Sequence, residues 1–229
     1  MFFDPVYLIF LLPGVLLALW ASLKTRTASE HYSQVPCASG MSGAQAAARL
    51  LADAGVTGVR IEETSGFLSD HYDPTARVLR LSPSVYRERT LAAVGVACHE
   101  AGHAIQHATN YGPLGLRSFL VPAVSISSPG AYICLFLGFL FQAQALVWLG
   151  ILFFLAAVIF SLVTLPVEFD ATRRAKQLMV RAGIVSNSEA KGAGEVLDAA
   201  FLTYVASAVS MLLTLLYYLY RAGAFSRRD

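Results

Sequence analysis

Three apolar blocks restrict what this chain can fold into. Residues 6–23 are apolar apart from Pro13, Gly14 and Ser22, residues 131–165 form one long apolar run, and residues 201–220 form a third. In hydrocarbon a backbone N–H or C=O finds no water to bond, so a crossing segment must be a helix or a strand of a closed barrel. A helical crossing takes about 20 residues. The middle run is too long for one crossing and reads as two, joined by a hairpin turn at Gln142 and Gln144. The expected spans are therefore roughly 4–23, 119–141, 144–165 and 200–220. Pro122 and Pro129 fall in the second span, which is expected to kink or start late. Composition agrees: the chain is 56% hydrophobic and 14% charged, against about 45–50% and about 25% in soluble domains. Asp4 is the only charge before Lys24 and no small-x-small cleavage site is visible, so the first block reads as a retained anchor rather than a signal peptide.

Within the polar stretch that follows lies His99-Glu100-Ala101-Gly102-His103, an H-E-x-x-H sequence in a helical run. Residues four apart share a helix face, with β-carbons about 5–6 Å apart. Two imidazoles so placed can both reach one zinc ion at about 2.0–2.1 Å. Glu100 can take the proton from a water at that metal, which is the core of a metalloprotease site. The neighbours (Val94, Gly95, Val96, Ala97, Ala101, Gly102, Ala104, Ile105) are small and apolar. Burying three ionisable groups among them without a partner would be costly, and a metal removes that conflict.

Catalytic zinc takes three protein ligands and a water. Glu168 and Asp170, in the second polar piece, are the candidates for the third. They lie about 200° apart around a helix, so both cannot face the metal. Pro166 suits the first turn of a helix, where Glu168 would also be favoured by the dipole. Asp170 could instead form an exposed pair with Arg173 or Arg174. His107 continues the four-residue spacing, but three such histidines span about 12 Å of helix axis, too far for one ion. His71, Tyr72 and Tyr204 are candidates for stabilising an oxyanion. His31 is expected to be solvated in a polar linker. Cys37, Cys98 and Cys134 have neither metal-type spacing nor an even count, and Cys98 reads as a packing residue.

Around the motif, residues 42–55 read as a short amphipathic helix capped by Ser42 and stopped by Gly55. Residues 56–63 and 77–81 alternate as strands, with a turn at residues 70–74 between them. A helix starting at Ser84 or Arg87 is expected to run through the motif and end near residues 110–113. Gly183 is expected to close the helix that begins at Pro166. Another should run from about Ser188 into the last span.

The segments LSDHYDPTARVLRLSPSVY, VACHEAGHAIQHATNY, LRSFLVPAV, LVTLPVEFDATRRA and LTYVASA, in that order, resemble the YugP-like membrane zinc metallopeptidases, also called zinc-dependent neutral metallopeptidase family 2. The resemblance covers essentially the whole chain. It implies a gluzincin-like zincin with one catalytic Zn2+: His99, His103 and Glu168 as ligands, Glu100 as base. The chain is more distantly similar to membrane-embedded CAAX prenyl proteases and heat-shock-type membrane proteases. Those carry a Glu-x-x-x-Asp pattern; the fourth residue after Glu168 here is Thr172. That departure leaves open which group orients the metal ligand.

The expected protein is thus a mainly α integral membrane protein with about four transmembrane helices, a gluzincin-like zincin domain and a small β-sheet. Its expected divisions are a first membrane helix (1–23), a catalytic domain with the H-E-x-x-H helix (24–118), a membrane hairpin (119–165), a third-ligand helix with a connecting helix (166–199), a last membrane helix (200–221) and a tail (222–229). The expected function is zinc-dependent endopeptidase action on peptide or protein substrates at a lipid bilayer. A non-catalytic zinc-stabilised scaffold and an intramembrane-cleaving protease are the alternatives. The strand at residues 77–81 is the expected edge for an added substrate strand. Net charge is +2 with no long basic run, which gives nucleic-acid binding no support. The expected location is a bacterial cell (inner) membrane. Lys24, Arg26, Arg117, Arg173, Arg174 and Lys176 flank the catalytic side and Arg221, Arg227 and Arg228 the other, so the positive-inside rule favours a cytoplasmic catalytic domain.

Overall fold

The computed structural model describes residues 5–66 and 69–223, so Asp4, Arg227, Arg228 and the end of the tail lie outside the described residues. The chain is mainly helical, and its described residues form seven helices and three short strands. In order they are α1 (Pro5–Tyr32), α2 (Gly43–Asp53), β1 (Arg60–Glu63), β2 (His71–Asp73), β3 (Val78–Leu81), α3 (Pro83–Arg87), α4 (Leu91–Ala108), α5 (Gly112–Leu140), α6 (Gln144–Arg181) and α7 (Asn187–Arg221).

Four of these helices, α1, α5, α6 and α7, are long and apolar enough to cross a membrane. At about 1.5 Å per residue even α1, with 28 residues, exceeds a hydrocarbon thickness of about 30 Å. Each therefore continues past its apolar stretch. These helices are longer than the apolar blocks alone suggest, and His31 sits in the last turn of α1, not in a linker. Both Pro122 and Pro129 lie inside one continuous α5. Gln142 adopts φ 55°, closing the turn before α6.

The chain divides into two compact units. The first comprises residues 1–20, 115–165 and 203–229. Its core gathers Ala131, Leu135, Val147, Ile151, Phe154, Val158 and Tyr217. Its outer surface is apolar: Ile9, Phe119, Ile126 and Phe136 are all largely exposed. Among its described residues the only charged side chains are Arg117 and Arg221. Such an apolar exterior suits lipid and would be unsustainable in water.

The second unit comprises residues 21–114 and 166–202. Its centre is α4, buried around nearly its whole circumference from Leu91 to Gln106. Thr90 starts it, its hydroxyl accepting from the Ala93 N–H. α2 begins with a reciprocal box in which the Ser42 hydroxyl accepts from the Gln45 N–H and the Gln45 side chain accepts from the Ser42 N–H. It buries Ala46, Ala47, Leu50 and Leu51. Gly55, at φ 67°, then turns the chain away.

The sheet order is β1-β3-β2, parallel between β1 and β3 and antiparallel between β3 and β2. This corrects three expectations. Residues 70–74 are not simply a turn. Residues 71–73 pair as a strand with Val78–Arg80, with Tyr72 packed against the core, and the turn begins only where the Asp73 carboxylate accepts from the Thr75 and Ala76 N–H groups. β3 is not an edge, because both its sides are taken; β1 and β2 are the edges. The first strand starts at Arg60, not at Val56. The helix expected from Ser84 onward is also two helices, broken at residues 88–90, where Glu88 is extended (φ −72°, ψ 153°) and Thr90 bridges to Pro36.

Pro166 does not begin a helix. It lies inside the 38-residue α6. Residues 144–165 have already established that helix, and the ring of Pro166 withholds only the N–H that would have bonded the carbonyl of residue 162. The carbonyls of Pro166 and Val167 accept from the side chains of Tyr111 and Gln106. Gly183, at φ 66°, ends the turn after α6, and α7 starts at Asn187.

Candidate metal centre

α4 supplies His99, Glu100 and His103, and the charged half of α6 supplies Glu168. The two helices run antiparallel here, pairing His99 with Thr172, His103 with Glu168 and Gln106 with Val167. Gly102, inside the motif, permits the approach. A Cβ at Gly102 would lie 2.9 Å from the Ala171 carbonyl oxygen. Any side chain there would push α6 away and carry Glu168 with it.

The ligand atoms of His99, His103 and Glu168 all lie within 4.8 Å of one another. Nε2 of His99 is 3.2 Å and Nε2 of His103 3.5 Å from the same Glu168 carboxylate oxygen. Donor atoms around a tetrahedral zinc at 2.0–2.1 Å sit about 3.3 Å apart. The two imidazoles stand nearly perpendicular, at 85° with centroids 4.8 Å apart, so both Nε2 atoms converge without stacking. Glu168 is 1% exposed. Two imidazole nitrogens and one carboxylate oxygen are a donor set that suits zinc. The residues fit zinc.

Residues 7–223 match a family described as "Putative neutral zinc metallopeptidase". The chain belongs to that family. Over 200 residues it is 47% identical to "Putative membrane protease YugP" of Bacillus subtilis (strain 168), covering 87% of this chain and 89% of that protein. No solved structure matches.

In this family member Glu100 is half-buried on α4 beside the cluster and is not one of the three converging groups. Burial disfavours a charged His103, but its hydrogen bond to Glu168 and the charges of Glu100 and Glu168 outweigh that. Its pKa lies above the ordinary histidine value. Asp170 is not in the cluster either, nor is it the exposed partner expected for an arginine. It is 3% exposed and accepts from Arg173, Arg174 and Gln106. A buried carboxylate needs that many partners.

His107 lies one turn beyond the cluster, hydrogen-bonded through Nδ1 to the Tyr72 hydroxyl at 2.9 Å. Both line a cavity of about 400 Å³ with Arg77, Ala104 and Asn110. His71 is exposed, its Nδ1 2.7 Å from the Ser69 carbonyl. Tyr204 lies on α7 in the other unit. Cys98 is fully buried and its thiol is pushed far up by burial, as suits a packing residue.

Sequence reasoning passed over Gln106. It is 0% exposed and touches His103 Nδ1 through its side-chain oxygen at 3.0 Å. The signal was there: a lone amide three residues after His103, in an apolar run, must be paired if buried. Thr172, noted only as a departure, places its hydroxyl 3.3 Å from His99 Nδ1.

Proposed function

We propose that this chain is a membrane-anchored zinc endopeptidase with a gluzincin-like centre: one zinc held by His99, His103 and Glu168, and Glu100 as general base. The observation that carries the reading is the convergence of two histidines and a buried glutamate at zinc-ligand spacing, with Glu100 on the same helix. When bound, zinc would polarise the scissile carbonyl and lower the pKa of the attacking water towards about 7. Glu100 takes the proton from that water and returns it to the leaving amine, which would otherwise depart as an unstable anion. Thr172 and Gln106 hold the two histidine rings. An extended peptide adding as a strand would use β2, whose Tyr72 reaches α4 at His107. Purified in detergent, the wild type should hold about one zinc per chain and cleave casein or unstructured peptides. A chelator should abolish cleavage and added zinc restore it. Cleavage that persists in the metal-free protein would refute the proposal.

Residues 24–118 and 166–199 are assigned to the cytoplasmic face of a bacterial cell membrane. Two crossings separate His99 from Glu168, and ligands of one zinc cannot sit across a bilayer of about 30 Å. The basic residues Lys24, Arg26, Arg173, Arg174 and Lys176 argue for the inside. A single reporter cysteine in residues 24–118 should resist an impermeant thiol reagent on intact cells, and one after Arg221 should react. The opposite pattern would reverse the orientation.

A further inference from the structure

The geometry points to Gln106 as a positioning residue that holds His103 with its proton on Nδ1 and its Nε2 lone pair free for the metal. Gln106 would also link that ring to Asp170 without setting a second carboxylate against it. The inference rests on the zinc reading above. It begins with the orientation of an amide. The Gln106 side-chain nitrogen lies 2.8 Å from the Val167 carbonyl oxygen and 3.0 Å from an Asp170 carboxylate oxygen. Neither group has a hydrogen to give, so both can only accept, and the atom facing them must be the NH2. The Gln106 oxygen is thereby turned to His103 Nδ1, at 3.0 Å. That oxygen is itself only an acceptor, so Nδ1 must carry the hydrogen. In a neutral imidazole the lone pair then falls on Nε2, the atom that faces Glu168.

The chain of contacts continues outward. Asp170 holds the amide on one oxygen, and its charge is met by Arg173 and Arg174. Two arginines, a carboxylate, an amide and an imidazole thus lie in sequence, each fixing the next. Ring nitrogens of metal-bound histidines usually donate to a carboxylate or carbonyl, which sets the ring and its basicity. Here a neutral amide occupies that position. Glu168 and Glu100 already bring two negative charges to the site, and a third against His103 would add repulsion. The amide delivers the acceptor and keeps the charge one residue away, where two cations balance it. The i, i+3 relation of His103 and Gln106 places both on one face of α4, so the arrangement needs only the buried approach of α6.

The test is zinc affinity of the full-length protein in detergent, by competition with a chelator of known affinity. Gln106→Met keeps the volume and removes the hydrogen bonds. It should bind zinc about 10–100-fold more weakly than wild type, and its cobalt-substituted form should show a changed visible spectrum. Asp170→Asn, which leaves Val167 to orient the amide, should lose less. Gln106→Met with wild-type zinc affinity and a lowered melting temperature would show a strut between helices and overturn the inference. Should Gln106→Met not fold, proton and nitrogen-15 NMR of zinc-loaded wild type still decides: a downfield, slowly exchanging His103 Nδ1 proton coupled to the Gln106 side chain supports the inference, and a proton that exchanges freely with solvent, or one on Nε2, overturns it. Wild type that binds no zinc would bring down the metal reading itself, an outcome distinct from normal wild-type binding with an indifferent Gln106 variant.

Discussion

Glu168→Ala should emerge from purification almost free of zinc, falling from about one ion per chain to less than about a tenth. His99 and His103 alone offer two nitrogens on one helix face, half of a tetrahedral shell. Glu168 closes the shell from a second helix, where it is almost fully buried. Alanine also leaves the half-buried His99 and the buried His103 without the carboxylate between them. Asp170→Ala is the control: it should retain zinc at saturating metal, with the weaker affinity that follows from loosening Gln106. Metal analysis of both variants beside wild type checks the pair. Full zinc in purified Glu168→Ala would remove Glu168 from the site.

What the sequence made legible was local. The four candidate membrane helices stand out because a run of about 20 apolar residues has few other fates, and α2 was readable from Ser42 and the alanines behind it. His99 and His103 show themselves by a spacing of four. Glu168 does not. It lies 69 residues from His99, no periodicity links the two, and it was the resemblance that chiefly separated it from Asp170. The sheet was misread for the same reason. β2 has three residues between Asp70 and Pro74 and looks like a turn until β3 pairs with it. That β3 is central depends on β1 arriving from the other side, which no property of residues 77–81 records. Pro166 misled because a proline at a helix start is a rule for helices that begin there. Asp170 misled because three partners, one of them from α4, make a buried carboxylate tolerable. Gly102 looked like one more small residue; its role lies in the carbonyl of Ala171 opposite it.

Glu100→Gln should bind about one zinc and lose nearly all turnover. A general acid–base group contributes about 10²–10⁴ in rate, which is about 3–5 kcal/mol of barrier at 1.36 kcal/mol per tenfold. Glutamine preserves the size of Glu100 and can still donate or accept a hydrogen bond, but it cannot take a proton from water at neutral pH. Glu100 is not among the groups that converge on the metal position, so zinc content should be untouched. The two measurements together separate the competing readings. A scaffold that uses zinc only to hold α4 against α6 would tolerate Glu100→Gln in every respect, because nothing in that role asks for a base. A protease would keep its metal and its melting temperature and lose cleavage of the same peptides by at least about a hundredfold. If activity instead stays within a few-fold of wild type, another group accepts the proton, and the H-E-x-x-H helix is a metal-binding element without the chemistry proposed for it.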